Sequence, residues 1–313
     1  MKTATRGVTV NVGLIGYGEV GRILAEDLRE RGVAVAAHDL KHEDPTLREH
    51  AERLGVVWAD SHAVVAEQAD VVICAVTASQ TGAAARATAP GLRPGTFYLD
   101  FNSASPGIKK EASSAVGEAG GRYVEGAAMT SVPPYRSAVP LLLGGPDARD
   151  LEPVLHGLGL SGARFHDERL GVASATKLCR SVMIKGLEAM VVESFTAARA
   201  HGVEDAVLAS LAETFPGIDW EAQGAYFFQR TIEHGRRRSE EMFEAALAVR
   251  EAGLEPLSAT ATAHRQAWMA DLGDEGVFGQ RGSEGFARSQ DWRTEADRII
   301  QRQRTSSTLP EPS

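Results

Sequence analysis

From residue 8 to about residue 165, short apolar runs recur between stretches in which apolar residues fall at helical spacing. The runs 10–15, 33–37, 56–58, 69–76, 97–100, 122–125 and 140–143 read as strands. The run 69–76 is almost continuously apolar, as expected of a parallel strand buried on both faces. Between the runs, patterns such as Val20, Ile23, Leu24 and Leu28 mark one face of a helix. Strands alternating with helices predict a doubly wound parallel sheet. Near Gly171 the texture changes. Residues 172–201 form one long apolar-rich segment without proline, and helical patterning continues to about residue 302 with no strand-like run. The chain therefore reads as α/β, with an N-terminal Rossmann doubly wound domain followed by an all-helical C-terminal domain. The predicted boundaries are 1–166, 167–304, and a polar, proline-bearing tail, 305–313, expected to be disordered.

The first apolar run ends in Gly16-Tyr17-Gly18-Glu19-Val20-Gly21. A lone GxGxxG is weak in a chain with 32 glycines, but here a strand enters it and a helix leaves it. Gly16 permits the tight turn, Gly18 lets the backbone approach a pyrophosphate, and Gly21 lets helix and strand pack closely. Asp39 follows the second run, about 20 residues on, where a carboxylate binds a ribose 2′-hydroxyl. It favours NAD and repels a 2′-phosphate, while Lys41 and His42 beside it leave NADP open. In such a sheet the loops at the strands' carboxyl ends face the ligand, which marks Val76-Thr77, Asn102-Ser103 and Met129-Thr130-Ser131.

Length and charge narrow the picture only a little. The 313 residues suit two domains, and a net charge of −9 argues against nucleic acid as the main partner. The two cysteines, Cys74 and Cys179, sit in apolar runs without disulfide or metal spacing, so they are expected as reduced core residues and no metal is expected. No apolar stretch approaches the roughly 18 residues of a membrane span, and the N-terminus lacks a signal-peptide core, so a soluble, cytoplasmic protein is expected.

Two segments after the junction carry candidate chemistry. On a helix over 172–200, Ser174, Lys177, Ser181, Lys185 and Glu188 fall on one side, with Leu178, Cys179, Val182, Met183 and Met190 on the other. Lys177, close to the domain junction, is placed to point into a cleft. The second segment is His234-Gly235-Arg236-Arg237-Arg238-Ser239-Glu240-Glu241-Met242. It reads either as a helix with Arg236–Glu240 and Arg237–Glu241 pairs, or as an arginine cluster that grips a substrate carboxylate or phosphate.

The glycine turn, the loop from Asp100 through Asn102-Ser103 to Pro106, and Gly171 followed six residues later by Lys177 resemble the β-hydroxyacid dehydrogenase family. That family includes 3-hydroxyisobutyrate and 6-phosphogluconate dehydrogenases. Ala127-Ala128-Met129, Val132-Pro133-Pro134, Lys185-Gly186 and Arg237-Arg238-x-x-Glu241-Met242 resemble its branch with a phosphogluconate dehydrogenase-like C-terminal domain of long-unassigned function. The resemblance implies hydride transfer between a nicotinamide cofactor and a small anionic hydroxy acid, with Lys177 as general acid and base and decarboxylation where a β-keto acid results. It implies Ser181 beside Lys177, where the family usually has asparagine. Ser103, Met129, Thr130, Ser131, Lys185, Arg237 and Arg238 are then substrate contacts, with Tyr135 and Arg136 adding specificity. Met129-Thr130-Ser131 replaces the usual Ser-Gly-Gly loop, which changes the expected substrate more than the chemistry. A homodimer through the helical domain is also implied, and Trp220, Tyr226, Phe227 and Phe228 supply apolar surface there. Two rival readings are an imine reductase on the same scaffold, against which Lys177 speaks, and a nucleotide-binding regulator without turnover.

Overall fold

The protein is described by a computed structural model covering residues 10–284, 286 and 291–307. The chain begins with β1 (Val12–Ile15), α1 (Glu19–Glu30), β2 (Val35–His38), α2 (Pro45–Leu54), β3 (Val57–Trp58) and α3 (His62–Gln68). Next come β4 (Val71–Cys74), α4 (Thr81–Thr88), β5 (Phe97–Asp100), α5 (Pro106–Glu118) and β6 (Arg122–Ala128). The sheet is completed by β7 (Leu141–Gly144), α6 (Ala148–Gly157) and β8 (Ala163–Asp167). Five helices follow: α7 (Val172–His201), α8 (Glu204–Thr214), α9 (Trp220–Glu251), α10 (Leu257–Asp274) and α11 (Trp292–Ser307). The predicted tail thus starts too early, because Thr305 still belongs to α11, and residues 308–313 lie outside the described residues.

The eight strands form one sheet in the order β3-β2-β1-β4-β5-β6-β7-β8. From β3 to β6 all pairings are parallel, and β7 runs antiparallel to β6. Strand order reverses between β1 and β4, which is the switch point where doubly wound sheets bind ligands. Alternate side chains leave opposite faces of each strand. Val12, Leu14 and Ile73 join one core with α1 and α2, while Ile15, Val72 and Cys74 join the other with α3, α4 and α5.

The chain divides after Leu178 into two compact units, later than the predicted 166. The first turn of α7 is hydrogen-bonded to β6 through Glu125, so it belongs with the sheet. The second unit is helical throughout its described residues. Its core packs Val192, Phe195, Phe228, Ile232, Met269 and Trp292, with the Phe195 and Trp292 rings 4.9 Å apart. Among the described residues, no helix is long and apolar enough to cross a membrane.

Candidate functional site

The turn between β1 and α1 exists because Gly16 takes φ +90°, where a side chain would strike the Ala75 carbonyl. A Cβ at Gly21 would collide with the Gly16 carbonyl, so α1 starts this close to β1 only with hydrogen at that position. A Cβ at Gly18 would meet nothing within 4 Å, and the backbone there stands open. Gly18 caps α1 without a side chain, leaving the first-turn amides at the positive end of the helix dipole without an intrahelical acceptor. Glu19 is exposed and Val20 half-buried in that turn. This cradle fits a pyrophosphate.

Asp39, just past β2, accepts the Tyr17 N–H at 2.6 Å and the Lys41 N–H at 2.8 Å. Both oxygens are oriented by the backbone and keep lone pairs for a ribose hydroxyl. Tyr17 itself departs from the expectation of a cofactor contact. It is fully buried, its hydroxyl meets His50 Nδ1 at 3.1 Å, and Trp58 stands edge-on to its ring. Burial pushes its phenol up to about 12. With its amide held by Asp39 and its ring in the core, Tyr17 anchors the turn and is turned away from the ligand side.

At the ends of β4 and β5 the loops are locked to each other. Asn102 Oδ1 accepts the Val76 N–H at 2.7 Å, and Asn102 Nδ2 donates to Cys74 Sγ at 3.4 Å. Thr77 remains exposed at the edge. Beneath Asn102 lies a charge network that sequence reading missed. Lys109 Nζ pairs with Asp100 Oδ1 at 2.9 Å and donates to the Asp100 carbonyl at 3.0 Å, both residues being fully buried. Tyr123 donates to Asp100 Oδ2 at 2.6 Å, and the Asn102 N–H donates to Oδ1 at 3.0 Å. Burial, with the Asp100 charge beside it, raises the Tyr123 phenol well above its ordinary value. The missed signal was a carboxylate closing an otherwise apolar strand, Phe97-Tyr98-Leu99-Asp100.

Lys177 reaches this edge. Its Nζ donates to Ser103 Oγ at 2.5 Å, joining the helical segment to the loop after β5. The register of α7 is set by Glu125, a fully buried carboxylate inside β6 that also escaped notice. It accepts the N–H groups of Gly171 at 2.8 Å and Ala173 at 3.0 Å and the Ser174 hydroxyl at 2.8 Å. An acid at a helix N-terminus satisfies orphan amides and suits the dipole. After β6, the Met129 N–H donates to the Pro140 carbonyl at 2.9 Å, Thr130 is exposed and Ser131 is half-buried. Arg136 departs from its expected specificity role. With φ +51° it turns back to α1, pairing with Asp27 and, at 2.7 Å, with Glu26. Bonds from Arg136 and His50 hold the Glu26 carboxyl below its usual range.

Along α7 most of the expected polar side is buried. Ser174, Ser181, Lys185 and Glu188 are buried, as is Leu178 from the apolar side, whereas Met183 and Met190 are 72% and 62% exposed. Cys179, expected in the core, is exposed; only Cys74 is buried. In the helical unit the interior itself is charged, which reverses the pattern. Lys185 Nζ pairs with Glu241 at 2.6 Å and donates to Ser181 Oγ at 3.3 Å, so Ser181 is occupied within this cluster. Arg237 pairs with Glu241 at 2.6 Å as the spacing suggested. The other expected pair is absent, since Arg236 reaches across to Asp271 and Asp274 on α10. Buried Arg238 is bonded to Glu188. Trp220, Phe227 and Phe228 are consumed in the unit's own core and do not form surface; Tyr226 is exposed. Among the described residues no cluster of His, Cys, Asp and Glu could hold a metal ion.

A doubly wound sheet with an open glycine cradle at its switch point and a backbone-oriented carboxylate after β2 defines a Rossmann-type dinucleotide-binding fold. Comparison with known proteins narrows this. Residues 11–158 match the family described as the NAD binding domain of 6-phosphogluconate dehydrogenase, and residues 198–269 match a domain of unknown function, DUF1932. A conserved hypothetical protein from Sinorhizobium meliloti 1021 is 34% identical, with 95% of this chain and 98% of that one covered and a TM-score of 0.77. Mitochondrial 3-hydroxyisobutyrate dehydrogenase of Drosophila melanogaster is 24% identical over 70% of this chain and 68% of its own. The Mycobacterium tuberculosis 3-hydroxyisobutyrate dehydrogenase, solved with L-serine, shares the fold at 18% identity, with coverage of 93% and 99% and a TM-score of 0.68. The chain belongs to the β-hydroxyacid dehydrogenase family of NAD(P)-dependent enzymes acting on CH–OH groups, in the branch with a DUF1932 C-terminal domain.

Proposed function

We propose that this enzyme oxidises a small anionic hydroxy acid, with Lys177 as the general base that removes the hydroxyl proton. The observation that carries this reading is the 2.5 Å bond from Lys177 Nζ to Ser103 Oγ, at the sheet edge that also holds the glycine cradle. A bound nicotinamide dinucleotide supplies the hydride acceptor, held by the Gly16–Gly21 turn and Asp39. Lys177 takes the hydroxyl proton as the carbon is oxidised and returns it in reduction, while Ser103 orients its amine. Where oxidation yields a β-keto acid, decarboxylation follows and the same ammonium returns a proton to the product. Val76 and Asn102 keep the cofactor loops in register, and Thr77, Met129, Thr130 and Ser131 line the approach. Asp39 favours NAD over NADP. Two cysteines without disulfide partners support a cytoplasmic setting, and a net charge of −9 supports a small-molecule partner over nucleic acid. The exposed Met183, Ile184 and Met190 on α7 support a homodimer formed through the helical unit, which sedimentation at micromolar concentration tests.

The deciding experiment follows the absorbance of reduced cofactor over a panel of hydroxy acids. Lys177→Ala is expected to lower turnover by about 10²- to 10⁴-fold with cofactor binding intact. Undiminished turnover in that variant would remove Lys177 from the mechanism.

A further inference from the structure

Arg230, on α9, is half-buried, and its Nε is enclosed without any hydrogen-bond acceptor. Its guanidinium lies 6.0 Å from the centre of the Tyr226 ring and meets no carboxylate among the described residues. The neighbouring acids are already engaged. Glu188 is bonded to Arg238 and to Gln266 Nε2 at 3.3 Å, and Glu241 to Lys185 and Arg237. Glu233 is exposed and, among the described residues, lies 3.6 Å from His234. Arg230 therefore adds a cation beside a cluster in which Lys185, Arg237 and Arg238 already meet Glu188 and Glu241. A second buried donor there, Arg238 Nε, also lacks a partner. His234, one turn from Arg230, registers the same field: burial, then the Arg230 charge, pull its imidazole down to about 4.

A half-buried guanidinium with an enclosed Nε and no acceptor is unfavourable, and native proteins rarely leave buried donors unmet. An oxyanion presenting two oxygens answers the guanidinium fork and its charge together. We propose that Arg230 anchors an oxyanion-binding site in the helical unit, which takes the carboxylate or phosphate group of a small organic anion. The site lies within the helical unit and stands apart from the dehydrogenase reading. Lys185, Arg237 and Arg238, which sequence reading assigned to this role, are neutralised by glutamates and act as its walls.

The test is thermal melting of the full-length protein titrated with inorganic phosphate, with malonate, and with chloride at matched ionic strength. Phosphate or malonate is expected to raise Tm saturably where chloride does not. Arg230→Met is expected to melt higher than the parent without anion and to weaken anion binding by at least about tenfold. Arg230→Lys keeps the charge without the fork and is expected to retain a weakened shift. Cofactor binding is expected to be equal in all three proteins. A saturable shift of the same size in Arg230→Met, or none in the parent with either anion, overturns the site. Anion binding that depends on Arg230 in a protein that reduces no cofactor with any hydroxy acid would sink the dehydrogenase reading and leave this one standing.

Discussion

Two buried charge networks, one in each unit, are built from similar parts and finished differently. Around Asp100 both carboxylate oxygens have partners, Lys109 and the Asn102 amide on one and Tyr123 on the other, although the neighbouring Tyr98 hydroxyl is enclosed and unmet. Around Glu188 the bookkeeping stays open, with the donors Arg238 Nε and nearby Arg230 Nε enclosed and unmet. A closed network in a low-dielectric interior fixes geometry, and here it fixes the loop that presents Ser103 to Lys177. An open one is tolerated where a ligand completes it. The contrast separates residues that hold the site still from residues that wait for something to bind.

The closed network should break hardest. Lys109→Met leaves Asp100 buried without its cation and is expected to cost about 3–5 kcal/mol, read as a lower urea midpoint at unchanged slope. Asn102→Ala strands the Val76 N–H and is expected to cost about 1–3 kcal/mol, with weaker cofactor binding as the β4 and β5 loops part. In the open network the sign reverses. Arg230→Met removes an unmatched charge and is expected to gain about 1 kcal/mol in the absence of anion. A loss there equal to that of Lys109→Met would erase the distinction between the two networks.

A further effect concerns acid. His234 is held neutral in the fold, so as pH falls the unfolded chain takes up its proton near 6.5 and the folded chain only near 4. The folded state therefore loses stability between those values and is unaffected above them. His234→Asn is expected to flatten that part of the stability profile relative to the parent, as measured by urea unfolding at pH 7 and pH 4.5. Identical slopes would show that the imidazole does not sense the Arg230 charge.

The fold was legible because its signals are local. Glycines in the first turn, apolar runs such as Val71-Val72-Ile73-Cys74 and the loss of strand pattern after Gly171 are each written within a few residues. The candidate site was legible where a residue type stands alone at a strand end, as with Asp39 and Ser103. It was illegible where partners come from distant positions. Nothing local pairs Glu125 with Gly171, or Lys109 with Tyr123 through Asp100. Side-chain direction was also hidden. Tyr17 lies within the glycine motif yet turns into the core, and the polar side of α7 packs inward because its acids and bases meet others from α9. Periodicity reports that a helix has two faces, and only tertiary pairing decides which is wet.

The carboxylate that clasps the start of α7 occupies space that a neighbouring residue gives up. A methyl group on Gly144 would overlap the Glu125 side chain, so the acid can be this long only because its antiparallel neighbour is bare. The two positions are thereby bound to a common fate in descent. Lineages that acquire a side chain at 144 should carry aspartate at 125, and those that keep glutamate should never fill the gap.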